Sequence, residues 1–214
     1  MMGERLSSLI SFEELKLVAG ILLTSPYVPM LFMGEEYGEE NPFMYFISHG
    51  DPQLVEAIRK GRFEEFKDFA WAGDIPDAQS EETFLACKLS WEKMEEGYFK
   101  IINNYYKFLI ANRKNKKHFG VVPRENYKIR RLQDKKFLEL KKWVNGNQIV
   151  ILINFDAIEN QYVWKEEKEW KKVLDSAEIE WMGPGNQLPE SPETNELLYI
   201  KPSSIVIYER KNAI

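Results

Sequence analysis

Four carboxylates and a phenol crowd one short stretch of this chain, Gly34-Glu35-Glu36-Tyr37-Gly38-Glu39-Glu40. Two carboxyl groups flanking a glycosidic bond are what sugar hydrolysis requires, one protonating the leaving oxygen and the other attacking or activating water. The spacing is poor for that pair. Adjacent Glu35 and Glu36 point to opposite faces of an extended chain, and Glu39 and Glu40 fall in the loop beyond. Binding substrate or ordering the loop suits them better, since a carboxylate accepts strong charge-assisted hydrogen bonds from hydroxyl groups. Tyr37, Phe43, Tyr45 and Phe46 could stack on sugar faces, although aromatics beside a buried strand are ordinary core material as well.

Other chemistry finds little support. His49 and His118 stand alone, without a second ligand at metal spacing, so neither a metal nor a cofactor is expected. Gly183-Pro184-Gly185 reads as a turn rather than a phosphate loop, because it neither follows a buried strand nor opens a helix. Gly-x-Ser-x-Gly and Cys/His nucleophile arrangements are missing.

The acidic stretch must be held by its neighbours. Val28–Met33, just before it, is a continuous apolar run that reads as a strand buried on both faces, and ligands gather at the carboxyl ends of such strands. Upstream, Ser11-Phe12-Glu13-Glu14 has capping-box spacing and opens a helix over residues 12–24 that Pro26 stops. Downstream, Asp51-Pro52 starts a helix ending at Gly61, and Phe63, Phe66 and Phe69 continue in a second short one. Trp71 to Glu82 is turn-rich, with Gly73-Asp74 and Pro76-Asp77. Glu96–Arg113 is a strong amphipathic helix.

Near residue 119 the period changes. Asn126–Leu132, Lys136–Val144, Gln148–Phe155, Gln161–Trp164, Trp170–Leu174, Glu196–Ile200 and Ser204–Arg210 are short runs rich in β-branched and aromatic residues, and Asn145-Gly146 is a strong hairpin signal. They predict an antiparallel β-sandwich. The fold class is therefore α/β followed by all-β, with one domain over residues 1–118, a second over 119–214, and a boundary near Lys117–Pro123.

The chain has 214 residues, 44% hydrophobic and 14% aromatic, enough to bury a core. A net charge of −5 with only the short basic run at Arg113–Lys117 argues against a nucleic-acid partner. One cysteine, Cys87, fits a reducing compartment. Neither a secretory signal nor a membrane span is expected, and a cytoplasmic location is the default.

Several motifs in order resemble those of the malto-oligosyltrehalose trehalohydrolases, a branch of the α-amylase family of glycoside hydrolases. They are Gly3-Glu4-Arg5-Leu6-Ser7, the run Leu23 to Glu39, Pro42-Phe43-Met44-Tyr45-Phe46 with Asp51, Arg59-Lys60-Gly61-Arg62, Asp77 to Phe84, and Lys88-Leu89-Ser90-Trp91. Beyond residue 119, Ile149–Phe155 and Pro202–Ile207 look like the β-sandwich that closes many α-amylase relatives. The resemblance implies a retaining hydrolase that cuts the α-1,4 bond beside a terminal trehalose unit of maltooligosyltrehalose. It also implies that the chain is the C-terminal remnant of a (β/α)8 barrel, with residues 12–24 as helix seven, 28–33 as strand eight and 96–113 as helix eight. The family's catalytic Asp and Glu, on earlier strands, have no counterpart here, and neither does its Asn-His-Asp-Gln segment. Glu35, Glu36 and Tyr37 would line the substrate rim, with Tyr45, Phe46 and Arg62 beside them. The expected partners are an α-glucan and the missing N-terminal part of the barrel, and the expected activity of the chain alone is none. The competing reading is a non-catalytic glucan-binding or assembly module. Without the barrel, Leu15, Val18, Leu22, Ile102 and Leu109 would face solvent.

Overall fold

The computed structural model describes residues 3–66, 75–132, 134–167 and 169–210. Among the described residues five α-helices come first: α1 (Leu6–Leu9), α2 (Phe12–Thr24), α3 (Pro52–Phe66), α4 (Glu81–Ala86) and α5 (Gly97–Asn115). Seven strands follow: β1 (Tyr127–Arg131), β2 (Phe137–Val144), β3 (Asn147–Asn154), β4 (Asn160–Val163), β5 (Lys171–Asp175), β6 (Leu197–Ile200) and β7 (Ser204–Arg210). Each falls on a run expected to be a strand.

Local chemistry sets the boundaries. Ser11 Oγ accepts from the Glu14 amide at 3.3 Å and the Glu14 carboxylate accepts from the Ser11 amide at 2.8 Å, which closes the capping box of α2. Asp51 caps α3 through the Gln53 amide at 2.8 Å. Between β2 and β3, Asn145 and Gly146 take φ of 51° and 81°, the two left-handed positions of a tight hairpin.

The strands form an antiparallel five-stranded sheet, order β1-β2-β3-β7-β5, and a separate β4-β6 pair. Alternation divides the central strands between two cores. Ile149, Ile151, Ile153, Ile205 and Ile207 pack with Leu17, Leu23, Ile102, Tyr105 and Leu109 of α2 and α5. Val150, Leu152, Val206 and Tyr208 pack on the other side with Tyr162, Trp164, Trp170, Leu198 and Ile200. The large sheet is therefore covered by helices on one face and by the small β4-β6 pair on the other, and the first core draws on residues from both sides of position 118. Where α2 crosses β7, a Cβ added to Gly20 would lie 2.8 Å from Ile205 Cγ2, so a larger residue requires Ile205 or the helix to shift.

Three expectations change. Val28–Met33 is not a strand: among the described residues it joins no ladder, and Met33 already lies in a turn. Val28 and Met30 are 83% and 88% exposed, since among the described residues no strand pairs with this segment. Ile102 and Leu109 do not face solvent but are buried, because they pack with Ile205 and Ile207 of the β-sheet, and Leu15, Val18 and Leu22 are half-buried. Gly61 does not end a helix, and α3 runs through it as one piece to Phe66. A mid-helix glycine costs only about 1 kcal/mol against alanine and does not force a stop. Phe69, Trp71, Gly73 and Asp74 lie outside the described residues.

Cations from elsewhere finish the C-terminal end of α2, where carbonyls are left over. Buried Lys142 donates to the carbonyls of Thr24, Phe119 and Gly120 at 2.7–2.8 Å. Arg113 donates to those of Leu23, Ser25 and Tyr27 at 2.5–2.9 Å. At the end of α5, Lys116 and His118 bind Glu209 of β7 at 2.7 and 2.9 Å. Burial pushes the Glu209 carboxyl up, but these partners outweigh it and hold the group at about 2.

Candidate functional site

Gly34 and Gly38, at φ of 88° and 76°, bracket a single 3-10 turn made of Glu35, Glu36 and Tyr37. Left-handed φ on both sides favours glycine. At Gly34 an added Cβ would also lie 2.8 Å from Glu39 Cβ. The acidic stretch is thus a tight knuckle, not the end of an extended strand.

Its carboxylates do different work. Glu39 is buried and accepts four hydrogen bonds: from the Tyr37 hydroxyl at 2.7 Å and from the amides of Glu40, Asn41 and Ser90 at 2.8, 2.9 and 2.6 Å. Burial pushes its carboxyl up, but these donors prevail and hold it below the usual carboxylate range. Burial, with Glu39 alongside, pushes the Tyr37 hydroxyl well above its ordinary value, so it stays a donor. Glu40 accepts from Tyr98 and pairs with Lys93 at 3.1 Å. Glu35 turns back to accept from the Phe32 amide at 2.9 Å and from the Tyr106 hydroxyl at 3.4 Å. Among the described residues Glu36 is held only through its carbonyl, which accepts from Asn103 at 3.4 Å. Its half-buried side chain keeps its acceptor capacity for something else.

Arg5 braces the knuckle from the other side. It is 6% exposed, donates from Nε to Asn41 O at 2.9 Å and from Nη1 to Met33 O at 2.6 Å, and lies over the rings of Phe32 and Phe43 at 4.9 and 5.8 Å. Its Nη2 is buried and has no hydrogen-bond partner among the described residues. Arg5, Ser7, Phe32, Glu35, Glu39 and Phe43 line a cleft of about 330 Å³.

Of the residues singled out from the sequence, the fold gathers Glu35, Glu36 and Tyr37 into one turn. Tyr45, Phe46 and Arg62 lie elsewhere. Phe46 packs edge-to-face between Phe43 and Phe84, with centroids at 5.9 and 5.2 Å. Arg62 of α3 sits 5.0 Å over the exposed Tyr45 ring and pairs with Glu65 at 3.1 Å, so Arg62 and Tyr45 make a separate patch beside α3. Sequence reasoning missed Arg5, and it offered loop ordering to the acidic stretch without singling out Glu39. The Gly34/Gly38 bracket was the available signal, since two glycines enclosing three residues mark a turn with a tight interior.

No protein-family model matches the chain. The malto-oligosyltrehalose trehalohydrolase of Saccharolobus solfataricus is 46% identical over 112 residues, 52% of this chain and 18% of that protein. Its counterpart in Mycobacterium tuberculosis is 43% identical over 115 residues, 53% and 20% of the two chains. The one in Rhizobium sp. is 35% identical over 150 residues, 70% and 25%. In each relative the match lies in the C-terminal part. This chain resembles the C-terminal part of the malto-oligosyltrehalose trehalohydrolases. It spans about a fifth of the length of those trehalohydrolases. A solved Salmonella typhimurium protein assigned as an alpha amylase superposes with a TM-score of 0.75 at 24% identity, covering 98% of this chain and 32% of that one. The alpha-amylase from H. orenii gives 0.56 at 14%, with 94% and 36% covered. The fold is α-amylase-like, a small helical part followed by an antiparallel β-sheet region. Among the described residues, no helix is long and apolar enough to cross a membrane.

Proposed function

We propose that the chain is the closing part of a trehalose-releasing glycoside hydrolase. The complete enzyme cuts the α-1,4 bond beside the terminal trehalose unit of maltooligosyltrehalose with retention of configuration. The observation that carries this reading is 43–46% identity over 112–115 residues to proteins of that name. In the complete barrel, α2 and α5 take the places of helices seven and eight. Residues 28–33 take that of strand eight, with the knuckle at its carboxyl end, where barrel enzymes bind their ligands. Residues 1–118 are the barrel portion and 119–214 the closing domain. Glu36 supplies an acceptor to a substrate hydroxyl, and Glu35 and Tyr37 shape the rim around it. Tyr45, Phe46 and Arg62 flank it more remotely.

The retaining mechanism needs two carboxylates across the scissile bond. Glu39, Glu40 and Glu35 are bound up in the fold, so this chain alone is expected to be inactive. Incubation with maltotriosyltrehalose tests that: trehalose release at an enzymatic rate by the isolated chain would overturn it. Activity that appears when the N-terminal part of a relative is added would support it.

Glu36 has its own test. Its replacement by glutamine in a complete trehalohydrolase is expected to raise KM about tenfold, the loss of one charge-assisted hydrogen bond. Unchanged KM and kcat would remove Glu36 from the rim.

A further inference from the structure

The Gly183-Pro184-Gly185 turn, set aside as a phosphate loop, opens a segment that the fold pins along its whole length. Gly183 and Gly185 donate to the carbonyls of Glu178 and Ala177 at 3.0 and 2.8 Å. Asn186 Nδ2 donates to the buried Asp175 carboxylate at 2.8 Å. Lys172 Nζ donates to Leu188 O at 3.0 Å and Tyr208 to Pro189 O at 3.0 Å. The Lys172 amide closes the segment on Glu190 O at 2.7 Å. Residues 183–190 are irregular in path, yet their position is fixed. Such a loop makes a preformed wall, which spares a ligand the ordering cost of binding.

What the wall encloses is a groove of about 610 Å³ between it and β6. The floor is the buried Leu188 and Leu198. Leu197 and Tyr199 project from the outer side of β6, and Tyr199 is 46% exposed. At one end Glu159 and Lys201 pair at 2.8 Å, presenting acceptor and donor together without net charge. Asn186 and Gln187 line the opposite wall. An aromatic face beside amides and a neutralised ion pair suits a neutral polyhydroxylated ligand. The C–H face of a sugar ring stacks on the phenol while its hydroxyls bond to the polar edge. An anion would meet Glu159 and Glu196, which also line the groove.

We propose that this groove is a second α-glucan-binding surface, carried wholly by the β-sheet region and separate from the knuckle of Glu35 to Tyr37. The choice of an α-glucan rests on the proposed function above; the groove itself does not. It holds the chain on a long oligosaccharide, away from the bond that is cut.

Calorimetric titration of the full chain with maltoheptaose tests the assignment. Binding is expected, weakened at least about tenfold by Tyr199→Ala, restored by Tyr199→Trp, and untouched by Ile129→Ala, an exposed position of β1 that lines neither the groove nor the cleft at the knuckle. The side chain at position 199 is half in solvent, so its removal leaves the fold intact, and circular dichroism of the variant checks that. Absence of maltoheptaose binding, or binding that survives Tyr199→Ala and is lost with Tyr45→Ala, would overturn the groove. Neither result bears on trehalose release by the reconstituted enzyme, so the two readings fail separately.

Discussion

Lys142→Met is expected to destabilise the chain by about 2–4 kcal/mol, because three buried carbonyls lose a donor that methionine cannot replace. The carbonyls of Thr24, Phe119 and Gly120 meet at the Lys142 ammonium, so this side chain ties the end of α2 to the segment entering the sheet. Burial, with Arg113 nearby, pushes the Lys142 ammonium down to about 7. The unfolded chain keeps that proton to about 10.4. Between these values the unfolded state binds more protons than the folded one, so stability rises with pH across the window. The burial cost is fully present below pH 7 and is relieved as the pH climbs. Methionine has no such cost to relieve, so the deficit of the variant widens from pH 7 toward 10. Urea melts of both proteins at pH 6.5, 8 and 9.5 check this, and a deficit that stays constant across the series would show that the three carbonyls keep Lys142 charged throughout.

The strands and the hairpin were legible because their cause is local. Alternation and β-branched runs locate β1 to β7, Asn145-Gly146 places the first hairpin, and Ser11 and Asp51 cap where their side chains suggest. Gln148–Phe155 and Ser204–Arg210, expected as strands from their apolar and β-branched residues, became β3 and β7, and both proved buried on both faces. The same rule failed at Val28–Met33 for a reason that no run of residues carries. A strand exists only with a ladder partner, and among the described residues none lies beside this one. Likewise the periodicity of α2 and α5 gave the apolar face but not what covers it. The sheet took it, with Gly20 letting α2 reach Ile205. At the candidate site, residue type and spacing drew attention to the acidic stretch but could not rank its members. Ranking depends on contacts across the chain, such as Glu39 with Ser90 and Arg5 with Met33 and Asn41.

Glu39→Leu is expected to cost about 3–5 kcal/mol, one of the largest effects of a single side chain here, since it strands the Tyr37 hydroxyl and three amides in a buried place. The damage is local, because Gly34 and Gly38 leave the turn no stiffness of its own. Glu39→Gln separates charge from shape. An amide of the same size offers one acceptor oxygen where the carboxylate offered two, so part of the loss remains, about 1–3 kcal/mol. The sign with pH follows from the depressed carboxyl. Wild-type stability from Glu39 is present above the unfolded value of about 4.3 and is lost as the pH falls through the lower folded value. The gap between wild type and Glu39→Gln should therefore close below about pH 4. Denaturant melts from pH 3 to 7 read it directly, and a gap constant across that range would show that Glu39 does not hold the knuckle as an anion.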